Sequence, residues 1–194
     1  MPDLVIVGLY SNDIDDVMSG IPTALGRAKL KNNFYFLSYL NGSEILLRKT
    51  YAKDSRKLLL EFYQDQYPPK FASALLRTKE YLLKIQDFSN SIDARTLITI
   101  IPSCFEIDQL EWDKKGFGRF YSDEFINKNM TNISDIFTEF GEITEIPTLP
   151  LLPIFKNNKI RPLYFTNDPH WSKEGHKLAA ESIYNFLEEK RFIH

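Results

Sequence analysis

Three histidines stand in the 194-residue chain: His170, His176 and His194. Histidine is the side chain that ordinarily changes charge near neutral pH, so the search for an acid–base group begins with them. His194 is the last residue, where chain ends fray. His170 follows Asp168 at a step of two, across Pro169. In an extended segment, residues two apart point to the same side. A carboxylate so placed can accept a hydrogen bond from one imidazole nitrogen. That fixes the tautomer and leaves the other nitrogen as a base. Pro169 narrows the backbone freedom between them. The same residues also suit an Asp–Pro turn entering a helix, with a histidine on the surface. His176 follows Gly175 in the expected first turn of a last helix. It reads as a second catalytic group, as a metal ligand beside Asp168 and His170, or as a ring packed beneath the loop. The metal reading has poor spacing, because helical histidine pairs are normally four apart and here the step is six.

Asn12 follows the first apolar run at its carboxyl end. Ligands of open parallel sheets bind beyond those ends, and an amide there can donate to an oxyanion as a carbonyl becomes tetrahedral. Ser11-Asn12-Asp13 also reads as an ordinary polar turn. The chain has no Gly-x-Ser-x-Gly elbow, phosphate-binding glycine loop, His-Glu-x-x-His or dinucleotide fingerprint.

The elements that would position these residues follow an α/β grammar. Leu4 to Tyr10 is a β-branched apolar run, expected as a buried strand of a parallel sheet. Residues from about Ile14 to Asn33 read as loop with some helix. A helix is expected from Phe34 to Tyr51, bent near Asn41-Gly42, with a further helical turn at Lys57 to Tyr63. Pro68-Pro69 breaks the chain. Phe71 to Phe88 has helical period, with Ala74, Leu75, Thr78, Leu82, Ile85 and Phe88 on one stripe. Thr96 to Ile101 is a second buried strand ended by Pro102. Asp108 to Phe120 reads as an exposed aromatic excursion. Asn132 to Phe140 reads as a helix stopped by Gly141. Ile143 to Leu152, with its prolines, is extended and suits an edge strand. Ser172 caps a last helix whose Leu178, Ala179, Ile183, Phe186 and Leu187 face the core.

Composition excludes several classes. At 43% hydrophobic and 26% charged the chain is globular rather than disordered. A net charge of -2, with no long basic run, argues against nucleic acid as a partner. The single cysteine, Cys104, rules out an intramolecular disulfide and a Cys-rich metal site. No apolar run reaches membrane-spanning length, so no transmembrane segment is expected. Met1 to Tyr10 lacks the charged start and small-residue cleavage site of a signal peptide. No cofactor and no compartment follow from the sequence.

Three segments, in this order, resemble the SGNH hydrolase superfamily of GDSL-like esterases, lipases and acyl transferases. Pro2 to Gly8 running into Asn12-Asp13 is similar to the block whose Asn helps form the oxyanion hole. Leu97 to Pro102 is similar to the strand that follows a long helix. Asp168-Pro169-His170-Trp171 with Gly175-His176 is similar to the block of the catalytic Asp and His. The resemblance implies a flavodoxin-like, three-layer α/β/α fold around a parallel sheet. It gives Asn12 the oxyanion role, His170 the general base and acid role, and Asp168 the task of orienting His170. It puts the backbone near Gly8 close to the site and leaves His176 structural.

Two departures bear on substrate. The family's usual Asp-x-x-His is shortened here, which looks more like the branch of polysaccharide O-acetyl transferases. The step from Gly8 to Asn12 is also longer than the simplest family pattern. A third departure concerns the nucleophile. The family's Gly-Asp-Ser block precedes the Asn block, and here the Asn stands at residue 12. Asn41-Gly42-Ser43 is the nearest imitation, and Ser11 and Ser19 are no better. The expectation is therefore one domain over residues 1–194, N-terminally incomplete and missing its first strand or strands. Its function would be Ser-His-Asp ester chemistry on a small-molecule or glycan ester, nearly inert in this chain alone. The alternative is an inactive SGNH-fold binding or partner module, with the aromatic residues from Trp112 to Tyr121 as a contact surface. Either way the edge of the first strand invites self-association.

Overall fold

The computed structural model describes residues 2–18, 69–107, 111, 132–165 and 168–193. The chain divides into two compact units, residues 1–11 with 79–194, and residues 12–78. In the first unit three parallel strands lie side by side in chain order: β1 (Leu4–Leu9), β2 (Arg95–Ile100) and β3 (Thr148–Pro150). Val5 pairs with Thr96 and Val7 with Ile98, and Ile98 and Ile100 pair onward with Thr148 and Pro150. The architecture is mixed α/β with a small parallel sheet.

The strands differ in burial as their places dictate. β2, in the middle, is buried from Thr96 to Ile100, as its β-branched run requires. β1, expected to be a buried strand, is buried at Leu9 and only partly so along the rest of its length. Among the described residues it pairs only with β2, and Ile6 is 45% exposed. Among the described residues β3 pairs with β2 alone, as the edge strand its prolines predict, but it covers only Thr148–Pro150 of the stretch expected to be extended.

Helix α1 (Ser11–Met18) follows β1, and α2 (Pro69–Ser91) precedes β2. Proline suits a first helical position because its fixed φ matches the helix and its missing N–H leaves no orphan donor. Phe71, Ala74, Leu75, Thr78 and Leu82 form the buried stripe of α2. The stripe then passes to Ser89 rather than to Phe88, which is 66% exposed. The step of four from Ile85 reaches Ser89, whose hydroxyl donates to the Ile85 carbonyl at 2.8 Å. The Ser89 carbonyl closes the helix by accepting from the Ala94 N–H at 2.9 Å.

α3 (Cys104–Ile107) is one turn after β2, and α4 (Asn132–Thr144) packs on β2 and β3. α4 does not stop at Gly141. It runs on to Thr144 and ends with Glu145 in the left-handed region at φ 56°. Gly141 serves close approach instead, since a Cβ there would overlap the Thr148 hydroxyl and lie 2.7 Å from Thr148 Cβ. After β3 come α5 (Leu152–Asn157), the two-stranded antiparallel pair β4 (Tyr164–Phe165) and β5 (Asp168–Trp171), and α6 (Lys173–Glu189). Ser172 caps α6 as expected, its hydroxyl accepting from the Gly175 N–H at 3.3 Å. Ala179 and Leu187 of α6 are buried, and Leu178, Ile183 and Phe186 partly so. At the far end Arg95 donates to the Arg191 and Phe192 carbonyls at 2.9 and 2.6 Å, which ties the start of β2 to the chain's end.

The helices expected at residues 34–51 and 57–63 lie outside the described residues. So does the excursion at 108–120, except for Glu111. Among the described residues no helix is long and apolar enough to cross a membrane.

Candidate functional site

The carboxyl ends of β2 and β3 lead directly into α3 and α5. The β4–β5 hairpin is anchored at the same place, because the Tyr164 hydroxyl donates to the Pro102 carbonyl at 2.6 Å, just beyond the end of β2. This is the side of an open parallel sheet on which ligands bind.

Asp168 and His170 share strand β5, which pairs with β4 through Phe165↔Asp168 and Tyr164↔Trp171 across an irregular step. His170 is exposed. Its neighbour Trp171 is wedged among rings. Phe155 of α5 lies 5.4 Å away at a tilt of 33°, and His176 of α6 meets the indole edge-on at 5.5 Å and 87°. Tyr164 joins the cluster at 6.2 Å from Phe155. The indole N–H of Trp171 is buried near the Tyr164 hydroxyl without closing a hydrogen bond of good geometry. His176 itself stays exposed and holds its ring against Trp171. No group of three potential metal ligands occurs among the described residues.

The hairpin closes tightly on α6. The Ser172 N–H donates to the Leu163 carbonyl at 2.8 Å, and the Ser172 hydroxyl donates to the Pro162 carbonyl at 2.8 Å. Gly175 sits where any Cβ would overlap that same Leu163 carbonyl. The glycine of Gly175-His176 is thus needed for packing.

Glu111 is the residue the sequence reading missed. It falls inside the expected exposed excursion, yet it is only 2% exposed. Its carboxylate accepts from the Leu163 and Tyr164 N–H groups at 2.7 and 3.0 Å and pairs with Arg161 Nε at 2.7 Å. The excursion reading is corrected at this position. A carboxylate can be buried when it is paired with a charge and hydrogen-bonded, and here the amide donors and the arginine lie some fifty residues further on, out of reach of any local pattern.

Two more titratable groups lie past the end of β2. Glu106 is buried and accepts from the Ser103 N–H at 2.6 Å. Loss of solvent raises its carboxyl to about 7, outweighing that hydrogen bond and Lys156. Burial, with Glu111 nearby, pushes the Cys104 thiol up to about 12. At neutral pH Cys104 is thus a protonated thiol, which makes a poor nucleophile.

Asn12 is the second residue of α1 and opens the other compact unit. The polar turn expected at Ser11-Asn12-Asp13 is instead the first turn of a helix. The two readings share one chemistry, since Ser, Asn and Asp satisfy free N–H groups at turns and at helix starts alike. Ser11 is buried, at 7% exposure. Gly8 is the penultimate residue of β1, packed against the Ile101 side chain. Ser19 and Ser43 lie outside the described residues.

No family model, curated protein or solved structure matches this chain.

Proposed function

We propose that this chain carries the proton-handling half of an SGNH-type ester-cleaving site, within a flavodoxin-like three-layer α/β/α domain. The observation that carries the reading is the anchoring of the Asp168–His170 strand at the carboxyl end of the parallel sheet, through Tyr164 and Pro102. The strand order lends support. Three parallel strands adjacent in chain order are what the last three of the flavodoxin-like order 2-1-3-4-5 would give.

In this reading His170 takes the proton from an attacking hydroxyl as that oxygen bonds to an ester carbonyl. Asp168 remains ionised and steadies the imidazolium. His170 then returns the proton to the leaving alcohol as the ester bond breaks. Water, or an acceptor hydroxyl, takes the acyl group in a second round of the same proton transfers. The substrate class is a small-molecule or glycan ester. The family's nucleophile is the serine of Gly-Asp-Ser, a triplet absent from these 194 residues. Among the described residues β1 pairs with β2 alone, and its other edge is where a further strand, or a second copy, would pair.

Acetyl-ester turnover tests the proposal in two preparations: this chain, and the chain joined to an upstream strand ending in Gly-Asp-Ser. Removing the nucleophile or the histidine of a serine triad costs about a million-fold. The first preparation should therefore stay near the uncatalysed rate. The second should turn over and lose about a thousand-fold or more on His170→Ala. Rapid fluorophosphonate labelling of the first would contradict the reading, as would turnover by the second that survives His170→Ala. Glycan or protein binding that survives His170→Ala, with no turnover in either preparation, would favour the inactive binding module.

A further inference from the structure

Glu111 has a side chain with 0% exposure, and its described partners belong to the segment leading into the β4–β5 hairpin. Burying a carboxylate is costly, and a well-packed apolar residue of similar size often serves stability as well or better. What a carboxylate supplies that an apolar residue cannot is direction. Oε2 takes two consecutive N–H groups, those of Leu163 and Tyr164, and Oε1 faces Arg161 Nε.

Arg161 extends the bridge. Its Nη1 donates to the Asn158 and Ile160 carbonyls at 2.7 and 3.0 Å, and its Nη2 to the Phe155 and Lys156 carbonyls at 3.2 and 3.4 Å. The guanidinium therefore fastens the carboxyl end of α5 to Glu111. Leu163 is held from both sides, its N–H by Glu111 and its carbonyl by the Ser172 N–H at 2.8 Å. The segment that carries Asp168 and His170 starts from that doubly held residue and returns to it through the Ser172 N–H. Tyr164, whose N–H Glu111 also takes, is the residue that reaches Pro102.

We infer that Glu111, acting through Arg161 and the Leu163–Tyr164 backbone, is a positioning residue for the Asp168–His170 pair. The inference rests on the reading of that pair as the proton-handling group. It assigns Glu111 no contact with substrate. A carboxylate that accepts two consecutive amides and faces a guanidinium defines one geometry for the Leu163–Tyr164 backbone, and preorganisation of this kind keeps a catalytic side chain within reach of its target.

The test uses the whole chain with Glu111→Gln, which keeps the size of the side chain and an acceptor but removes the charge facing Arg161. Arg161→Lys is the second variant, since it leaves the carboxylate its two amides and removes the planar fork. Gly141→Ala, which disturbs the α4–β3 contact instead, is the control. Two quantities are read: amide hydrogen exchange, and the nitrogen NMR signals of the His170 imidazole. Glu111→Gln should speed exchange at Leu163, Tyr164 and Ser172 by about tenfold relative to the β2 amides, and should shift the His170 signals. Arg161→Lys should move both readouts the same way by less. Gly141→Ala should lower the melting temperature and leave His170 unchanged. If either hairpin variant folds with a lowered melting temperature but leaves His170 and the relative exchange at 163–172 unaltered, the inference is overturned and Glu111 is only a packing element. Absence of ester turnover in the joined protein would instead remove the ester reading while these spectra stood.

Discussion

Glu106 and Glu111 are two buried carboxylates in one neighbourhood with different means of support. Glu111 has an arginine and two amides, whereas Glu106 has the Ser103 amide and a carboxyl raised to about 7. The raised value has a consequence for stability. In the unfolded chain Glu106 titrates near the ordinary value of 4.5, so between 4.5 and 7 the folded state holds more protons than the unfolded one. Stability from this group is therefore full below pH 4.5 and falls as pH rises through the window. The whole change is on the order of 3 kcal/mol. Glu106→Gln keeps an acceptor for Ser103 and removes the charge. It should melt higher than the parent at pH 8, and the two melting curves should converge toward pH 4.5. Thermal scans that stay parallel across that range would show that Glu106 is not the group responsible. The same residues show what was legible at this scale. Asp168 and His170 could be picked out because their spacing is local, and so could Ser172 as a cap. Glu111 could not, since its amide partners lie 52 and 53 positions away.

Among the elements, β2 and α2 were readable because one period runs through each. The central strand is β-branched and buried, and the long helix keeps its stripe from Phe71 to Leu82. Errors arose where a residue's default role was overridden by a neighbour. Gly141 looks like a helix stop, but β3 approaches so closely that only glycine fits within the continuing helix. Phe88 looks like core, but the helical step passes to Ser89. β1 looks like a buried strand by composition. Its burial depends on having neighbours on both sides, and among the described residues it has one. An edge strand with Ile6 45% exposed is a template for further pairing. Sedimentation velocity over a concentration series should show the chain associating with itself. Ile6→Lys, which puts a charge on that edge, should shift it toward monomer. A monodisperse monomer throughout the series would contradict the assignment of β1 as an open edge.

At the scale of the molecule, the parallel sheet brings distant segments of sequence to one end. β1 and β2 run parallel although some ninety residues separate them in sequence. α3, α5 and the β4–β5 hairpin all gather beyond the carboxyl ends of the strands. The α/β grammar of strand, helix and strand foretold that sheet. The aromatic clamp of Phe155, Tyr164 and Trp171, and the Glu111–Arg161 bridge, were not foretold, because they are contacts between segments with no shared pattern. An Asp168 that orients His170 as a base can be detected in the 194-residue chain without any nucleophile. Nitrogen NMR of the His170 imidazole at a pH where it is neutral reports which ring nitrogen carries the proton. One dominant tautomer is expected in the unsubstituted chain, lost to a mixture in Asp168→Asn and unchanged in His176→Ala. A His170 spectrum already showing the free-imidazole mixture, and indifferent to Asp168→Asn, would contradict it.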